Sequence, residues 1–289
     1  ITSKINYILG CLSKYVGTTY PGKYSILREM SIYFVKTLRP SQKKISIKSK
    51  KINKKFPLIM NQLFSSRFYI NFLTLERPFY KSEKNKLKDD YKTKIKKINY
   101  NALILGGSGA LGQSTLKILE YNKKIQKIVS YNKNKLIKNE RNLKSFRFNI
   151  IKDYKKIDKI IKTYAPLRIF FMISPKIFFS KKLDREVKKQ YDLIFLRIPE
   201  KIIKRNRRRK ISFFYPSSSH INLDGKAYYS IIKKRAEKSL SKLCENLNIP
   251  FNSVRLPDIN SKQSITLINP NPQSFIQYLN KDKATFDKI

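Results

Sequence analysis

Asn101-Ala102-Leu103-Ile104-Leu105-Gly106-Gly107-Ser108-Gly109-Ala110-Leu111-Gly112 is the stretch that decides how the rest of this chain is read. Its first five residues form a short apolar run, and beyond the glycines Leu111, Thr115, Ile118 and Leu119 recur at helical spacing. A strand, a glycine turn and a helix are therefore predicted in succession. Glycine at 106, 109 and 112 suits a tight turn, a close approach of bare backbone to a pyrophosphate, and close helix-on-strand packing. Phosphate would then sit at the helix N-terminus. The whole turn, Gly106, Gly107, Ser108, Gly109, Ala110, Leu111 and Gly112, is the candidate dinucleotide cradle.

Working outward, apolar runs follow at 125–129, 146–150, 167–173, 211–215 and 251–256, with helical-period stretches such as 154–164 and 227–247 between them. Strands alternating with helices build a parallel sheet, because each parallel connection needs a crossover. Residues 99–289 are expected to form a Rossmann-type doubly wound α/β domain. An acidic side chain after the second strand would bind the ribose hydroxyls of NAD, whereas neutral or basic groups tolerate the extra phosphate of NADP. Here the strand runs out in Ser130-Tyr131-Asn132-Lys133. Tyr131 and Asn132 are cofactor-contact candidates, and NADP is preferred over NAD.

Tyr229 precedes Lys233 by four residues, one helical turn. Reducing a ketone by hydride requires a proton for the forming alkoxide, and free tyrosine, with a pKa of about 10, is too weak an acid. A lysine on the same helix face favours the tyrosinate. Tyr228 has Ile232 at the matching position and is read as packing. Upstream, Ile211-Ser212-Phe213-Phe214-Tyr215 leads into Pro216-Ser217-Ser218-Ser219, placing hydroxyls where open parallel sheets bind ligands. Ser218 is chosen as donor to the substrate oxygen, with Ser217 the alternative. His220, the only histidine, lacks acidic neighbours in sequence and is read as structural.

Before residue 81 the pattern differs. Met30, Ile32 and Phe34, then Ile45 and Ile47, then Phe68, Ile70 and Phe72 alternate as in half-buried antiparallel strands. Tyr20-Pro21-Gly22 is a turn signal. The expected organisation is a β-rich segment over 1–80, a solvated linker over 81–98, and the α/β domain.

Composition excludes several classes. No apolar run approaches about 18 residues, so no membrane span is expected. Cys11 and Cys244 stand far apart without metal-ligand spacing, which excludes a disulfide framework and a zinc site and suits a cytoplasmic protein. The chain starts at Ile1 and is read as part of a longer one. Its net charge of +45, from 64 Lys and Arg against 19 Asp and Glu, would ordinarily point to a polyanionic partner. The lysines are scattered through almost every segment, as biased codon usage produces. Nucleic acid is therefore not the favoured partner. The densest run, Lys204-Arg205-Asn206-Arg207-Arg208-Arg209-Lys210, is read as a solvated helix end, with an anion patch as the alternative.

The glycine turn, the serine-bearing strand and Tyr229-Ser230-Ile231-Ile232-Lys233 together resemble the short-chain dehydrogenase/reductase family over roughly residues 99–280. The resemblance implies Tyr229 as acid/base, Lys233 as the group that lowers its pKa and holds the nicotinamide ribose, and Ser218 as the group that orients the carbonyl. It also implies Asn149 near the adenine, Ser174 and Pro175 after the fourth strand, and Pro257 of Val254-Arg255-Leu256-Pro257 beside the nicotinamide. Ile173-Ser174-Pro175-Lys176 replaces the family's Asn-Asn-Ala-Gly stretch, and the helix-four asparagine of its proton relay has no clear counterpart. More narrowly, the chain resembles bacterial reductase-like proteins fused behind a MaoC-type hotdog domain, of which Val16-Gly17, Pro21-Gly22 and the following strands would be the later part. The Asp and His pair of such dehydratases is not found here, since no histidine precedes His220.

The function expected is an NAD(P)-dependent oxidoreductase that interconverts a ketone and its alcohol. An acyl thioester substrate, on the fold-level analogy to the hotdog, and a homo-oligomeric state complete the expectation. The alternative is a catalytically idle dinucleotide-binding subunit serving assembly and contacting RNA or an anionic surface.

Overall fold

The computed structural model describes residues 2–22, 25–34, 46–52, 58–65, 68–76, 84–132, 141–147, 149–178, 183–223, 227–261, 263–266, 269 and 271–289. Two compact units divide the chain: 1–80 with 265–271, and 81–264 with 272–289.

The first unit is helix α1 (Thr2–Thr18) and four antiparallel strands: β1 (Ser25–Phe34), β2 (Ser46–Lys51), β3 (Leu58–Phe64) and β4 (Phe68–Glu76). They lie in the order β1-β4-β3-β2. Met30 pairs with Phe72 and Ile32 with Ile70, so the period-two residues share one face. That face packs on Leu12 and Val16 of α1, whose spacing of four residues was not read as a helix above. Phe34 instead stays exposed, and Ile45 lies outside the described residues. Gly22 of the expected turn has φ +104°, a conformation glycine reaches without strain.

The second unit opens with α2 (Asp89–Lys96), inside the segment read above as a solvated linker. Leu87, Tyr91 and Ile95 are three turn-spaced apolar residues among many lysines, and all three are buried in the core of this unit. Then come β5 (Asn101–Leu105), α3 (Ala110–Leu119), β6 (Lys127–Tyr131), β7 (Leu143–Arg147), α4 (Tyr154–Tyr164), β8 (Leu167–Phe171) and α5 (Arg185–Asp192). A π-helical segment, Leu193–Arg197, joins α5 to α6 (Ile198–Arg205). The chain continues through β9 (Ile211–Ser218), α7 (His220–Leu223), α8 (Tyr228–Asn246), β10 (Phe251–Leu256), α9 (Phe275–Lys281) and α10 (Lys283–Phe286).

The six strands are parallel, in the order β10-β9-β8-β5-β6-β7. Strand order reverses between β5 and β8, and ligands of open α/β sheets bind at such a switch point, outside the carboxyl ends of the strands. Alternation along β5 sends Leu103 and Leu105 into one core, with Ile157, Ile202 and Leu240, and Ala102 and Ile104 into the other, with Leu116 and Leu279. Helices thus cover both faces, as a doubly wound fold requires.

Two strands differ from the apolar runs that predicted them. The third is Leu143–Arg147, three residues earlier than expected; as an edge strand it needs few buried residues, and Ile150 is buried from the loop that follows. β9 runs on to Ser218 through Pro216, because its ladder with β8 ends at Phe214 and only β10 pairs beyond.

Candidate active site

At the end of β5 the chain turns on Gly106, with φ +86°. A Cβ there would stand 2.9 Å from the carbonyl carbon and oxygen of Met172, where β8 ends. A Cβ on Gly112 would collide with the Gly106 carbonyl oxygen and lie 2.6 Å from Gly107 Cα, whereas one on Gly109 would meet only the Gly106 oxygen, at 3.3 Å. Two of the three glycines are therefore dictated by the turn's own packing. Ser130 braces the turn from β6: its hydroxyl accepts from Gly106 N–H at 3.0 Å and its carbonyl from Gly107 N–H at 2.9 Å. Gly109 is the N-cap of α3 and brings no side chain to the helix end, so first-turn N–H groups face the switch point uncapped. That cradle of bare backbone fits a dinucleotide pyrophosphate.

Beside it, Tyr131 is half-buried and Asn132 exposed. Arg147, opposite Tyr131 in the ladder, donates from Nε to the Asn132 carbonyl at 3.2 Å. Lys133 lies outside the described residues. Asn149 holds the turn into α4, its side-chain oxygen accepting from Ile151 N–H and its own N–H donating to Asp153. Past β8, Ser174 bonds to the Pro175 carbonyl, and Gln263 clamps this loop by donating to that same carbonyl and accepting from Ile177 N–H.

Ser218 and Tyr229 meet at the carboxyl end of β9. Burial pushes the Tyr229 phenol up to about 12, a hydrogen bond from Ser218 pulls it back, and Tyr191 and Asp258 add to the rise. Ser217, its neighbour on the strand, faces the other way, toward the Glu237 carboxyl that it helps hold down. Of the two serines, the geometry brings Ser218 to the tyrosine. Lys233 is displaced from its expected role. Its ammonium donates to the Pro216 carbonyl at 2.5 Å and lies over the rings of Tyr215 and Phe195, 4.3 and 4.7 Å from their centroids. Burial brings it down to about 7, against the opposing charge of Glu237. Lys233 is not among the groups that lower Tyr229.

Several partners could not be read along the chain. His220 pairs through Nε2 with Asp258 at 2.9 Å, while its N–H donates to Ser218 Oγ at 3.3 Å. The acidic neighbour missing from the sequence around His220 thus arrives from the end of β10, 38 residues on. Pro257 arrives with it, since Leu256 pairs with Ser218. Tyr228, read as packing, donates its hydroxyl to Asp192 at 2.9 Å. The π-helical segment packs on this side of the sheet, its Phe195 carbonyl accepting from the Tyr215 hydroxyl at 3.1 Å.

No protein-family model matches the sequence, and no curated protein matches it. Among solved structures the chain is similar to a short chain dehydrogenase from Leptospira borgpetersenii with bound NAD+, at 15% identity and TM-score 0.52 over 73% of this chain and 92% of that one. It is similar also to a short chain dehydrogenase family protein from Francisella tularensis, at 20% identity and TM-score 0.51 over 66% and 79%. A UDP-glucose 4-epimerase from Brucella ovis in complex with NAD overlaps at 18% identity and TM-score 0.45 over 54% of this chain, which spans about half of that epimerase's length (51%). At these identities the likeness is one of fold: the second unit has the Rossmann-type α/β fold of short-chain dehydrogenases.

Proposed function

We propose that this chain is an NAD(P)-dependent oxidoreductase of the short-chain dehydrogenase/reductase type, interconverting a ketone and its alcohol. The observation that carries the proposal is the placement of Ser218, at the end of β9, close enough to Tyr229, at the start of α8, to hold its phenol back, at the same end of the sheet as the uncapped glycine turn. When bound, the nicotinamide supplies or accepts the hydride. The backbone from Gly106 to Gly112 would hold the pyrophosphate, and Ser218 with Tyr229 would hold the carbonyl oxygen. Held up to about 12, the Tyr229 phenol keeps its proton at neutral pH but is a weaker donor than free tyrosine, so proton delivery to the alkoxide requires a cation, such as Lys233 turned toward it, to bring the phenol down. His220 and Asp258, both in part exposed, lie beside Ser218, whose hydroxyl accepts from the His220 main-chain N–H. Lys233 would take up its ribose-holding role by leaving the Pro216 carbonyl.

Arg147 beside Asn132, with no carboxylate in Ser130–Lys133, favours NADP over NAD. The first unit, a helix laid on an antiparallel sheet, supports its reading as part of a MaoC-like hotdog and hence a 3-oxoacyl thioester as the ketone. A dinucleotide-binding subunit without turnover is the second reading, favoured by the position of Lys233.

Titration with NADPH and NADH, followed by NADPH consumption over a panel of ketones and 3-oxoacyl thioesters, tests both. Binding with turnover is expected. Binding without turnover on any substrate would leave the second reading, and no binding would sink both.

A further inference from the structure

The chain carries 49 lysines and only 15 arginines, yet four of the arginines fall in the five residues 205–209. A compositional drift toward lysine does not concentrate arginine in this way. The structure shows how they are presented. Asn206, 1% exposed, anchors the turn after α6 by donating from its side chain to Asp158 at 2.9 Å and to the Ile202 carbonyl at 2.9 Å. Arg205 takes the other oxygen of the same carboxylate, at 2.6 Å, and Arg209 N–H closes the turn on the Asn206 carbonyl. Asp158 is thereby committed to the anchor. The exposed Arg207, Arg208 and Arg209 pair with no carboxylate among the described residues.

With Lys204 and Arg205 they line an open surface depression of about 570 Å³. A second depression of about 390 Å³ shares Arg207 and Arg209, passes Lys210 and runs on over a largely apolar strip of Pro166, Leu167, Ile211, Ile249 and Pro250. The two form a track at the amino ends of β8, β9 and β10, opposite the end that carries the glycine turn. Lys204 and Arg205 do occupy the last turn of α6, as a solvated helix end would have them, but the arginines from 207 onward lie beyond it.

We infer that this track binds the phosphodiester backbone of single-stranded nucleic acid. Guanidinium forks match phosphate oxygens in pairs, which lysine does not do. Three guanidiniums in one turn offer paired phosphate contacts, and the neighbouring strip, with Tyr100, offers surface against which unstacked bases can lie. The site is independent of the dinucleotide site, so the inference stands whether or not the chain is an oxidoreductase.

The test is binding of the full chain to fluorescent oligouridylate of about 20 nucleotides across a salt series, with vesicles of phosphatidylserine and phosphatidylcholine in parallel. R207A/R208A/R209A is expected to weaken RNA binding at least tenfold and to reduce the slope of log affinity on log salt by about 2, at roughly 0.7 per phosphate. The charge-matched control K234Q/K238Q/K242Q, on the exposed face of α8, is expected to lose less than threefold. R207K/R208K/R209K, which keeps the charge and the fold, should fall between wild type and the alanine variant, and it carries the test should the alanine variant misfold. An equal loss in the control, an unchanged lysine variant, or tighter arginine-dependent binding to the vesicles would overturn the inference.

Discussion

Lys233 donates its ammonium to the main-chain carbonyl of Pro216, two residues before Ser218 on β9, and lies enclosed by the Tyr215 and Phe195 rings. One turn of α8 separates it from Tyr229, yet its charge is spent on the strand and not on the phenol.

Such a lysine makes stability depend on pH. Burial holds Lys233 down to about 7, while in the unfolded chain a lysine titrates near about 10.4. Between those values the unfolded chain binds more protons, so stability rises with pH and the penalty is complete below about 7. Lys233→Met is expected to be more stable than wild type at pH 7 by roughly 1–3 kcal/mol, with the gap closing toward pH 10. Urea unfolding of both proteins at the two pH values measures it, and a gap independent of pH would contradict the assignment.

Tyr229→Phe should bind NADPH as wild type does and lose turnover by about 10²-fold or more. Ser218→Ala should lose turnover in the same direction, because its hydroxyl meets the phenol, while Ser217→Ala, facing away, should leave it within about threefold. Steady-state kinetics separates the two serines; equal losses would mean that the strand's alternation does not sort them.

Gly112→Ala puts a Cβ against the Gly106 carbonyl and Gly107 Cα, both backbone, so the turn must shift. Loss of dinucleotide binding and a destabilisation of about 1–3 kcal/mol are expected. Gly109→Ala meets one oxygen at 3.3 Å and should cost less than about 1 kcal/mol. Calorimetric titration with NADPH and thermal melts rank the two variants, and the reverse order would show that the turn has a different shape.

Arg147→Gln tests the cofactor preference. Removing the guanidinium beside Asn132 should weaken NADPH binding about tenfold and leave NADH within twofold, since the two differ only in the ribose phosphate. Parallel fluorescence titrations read both; an equal change for the two cofactors would remove Arg147 from the discrimination.

Much of the second unit was legible residue by residue. The apolar run before Gly106, the glycine spacing and the helical recurrence after it are local signals, and local backbone sterics enforce them, as the φ of Gly106 and the crowding at Gly112 show. The elements that carry Ser218 and Tyr229 were legible too, since each residue sits at a fixed place, the end of β9 and the start of α8. Less legible was anything at an edge or in a lysine-rich run: β7 began three residues early and α2 lay hidden among solvated charges, since a single buried face leaves a thin apolar pattern.

By itself, then, the chain's order of residues determined a doubly wound sheet, a bare-backbone turn at its switch point and a serine, tyrosine and lysine near one strand end. Only the tertiary structure decided what those groups face. Lys233 turned to Pro216, enclosed by burial and two aromatic rings, Asp258 came to His220 across 38 residues because β10 pairs with β9, and Asp158 came to anchor Asn206 and Arg205 from α4. Contacts between residues far apart in sequence depend on how strands are ordered and helices packed, and no local pattern encodes that order.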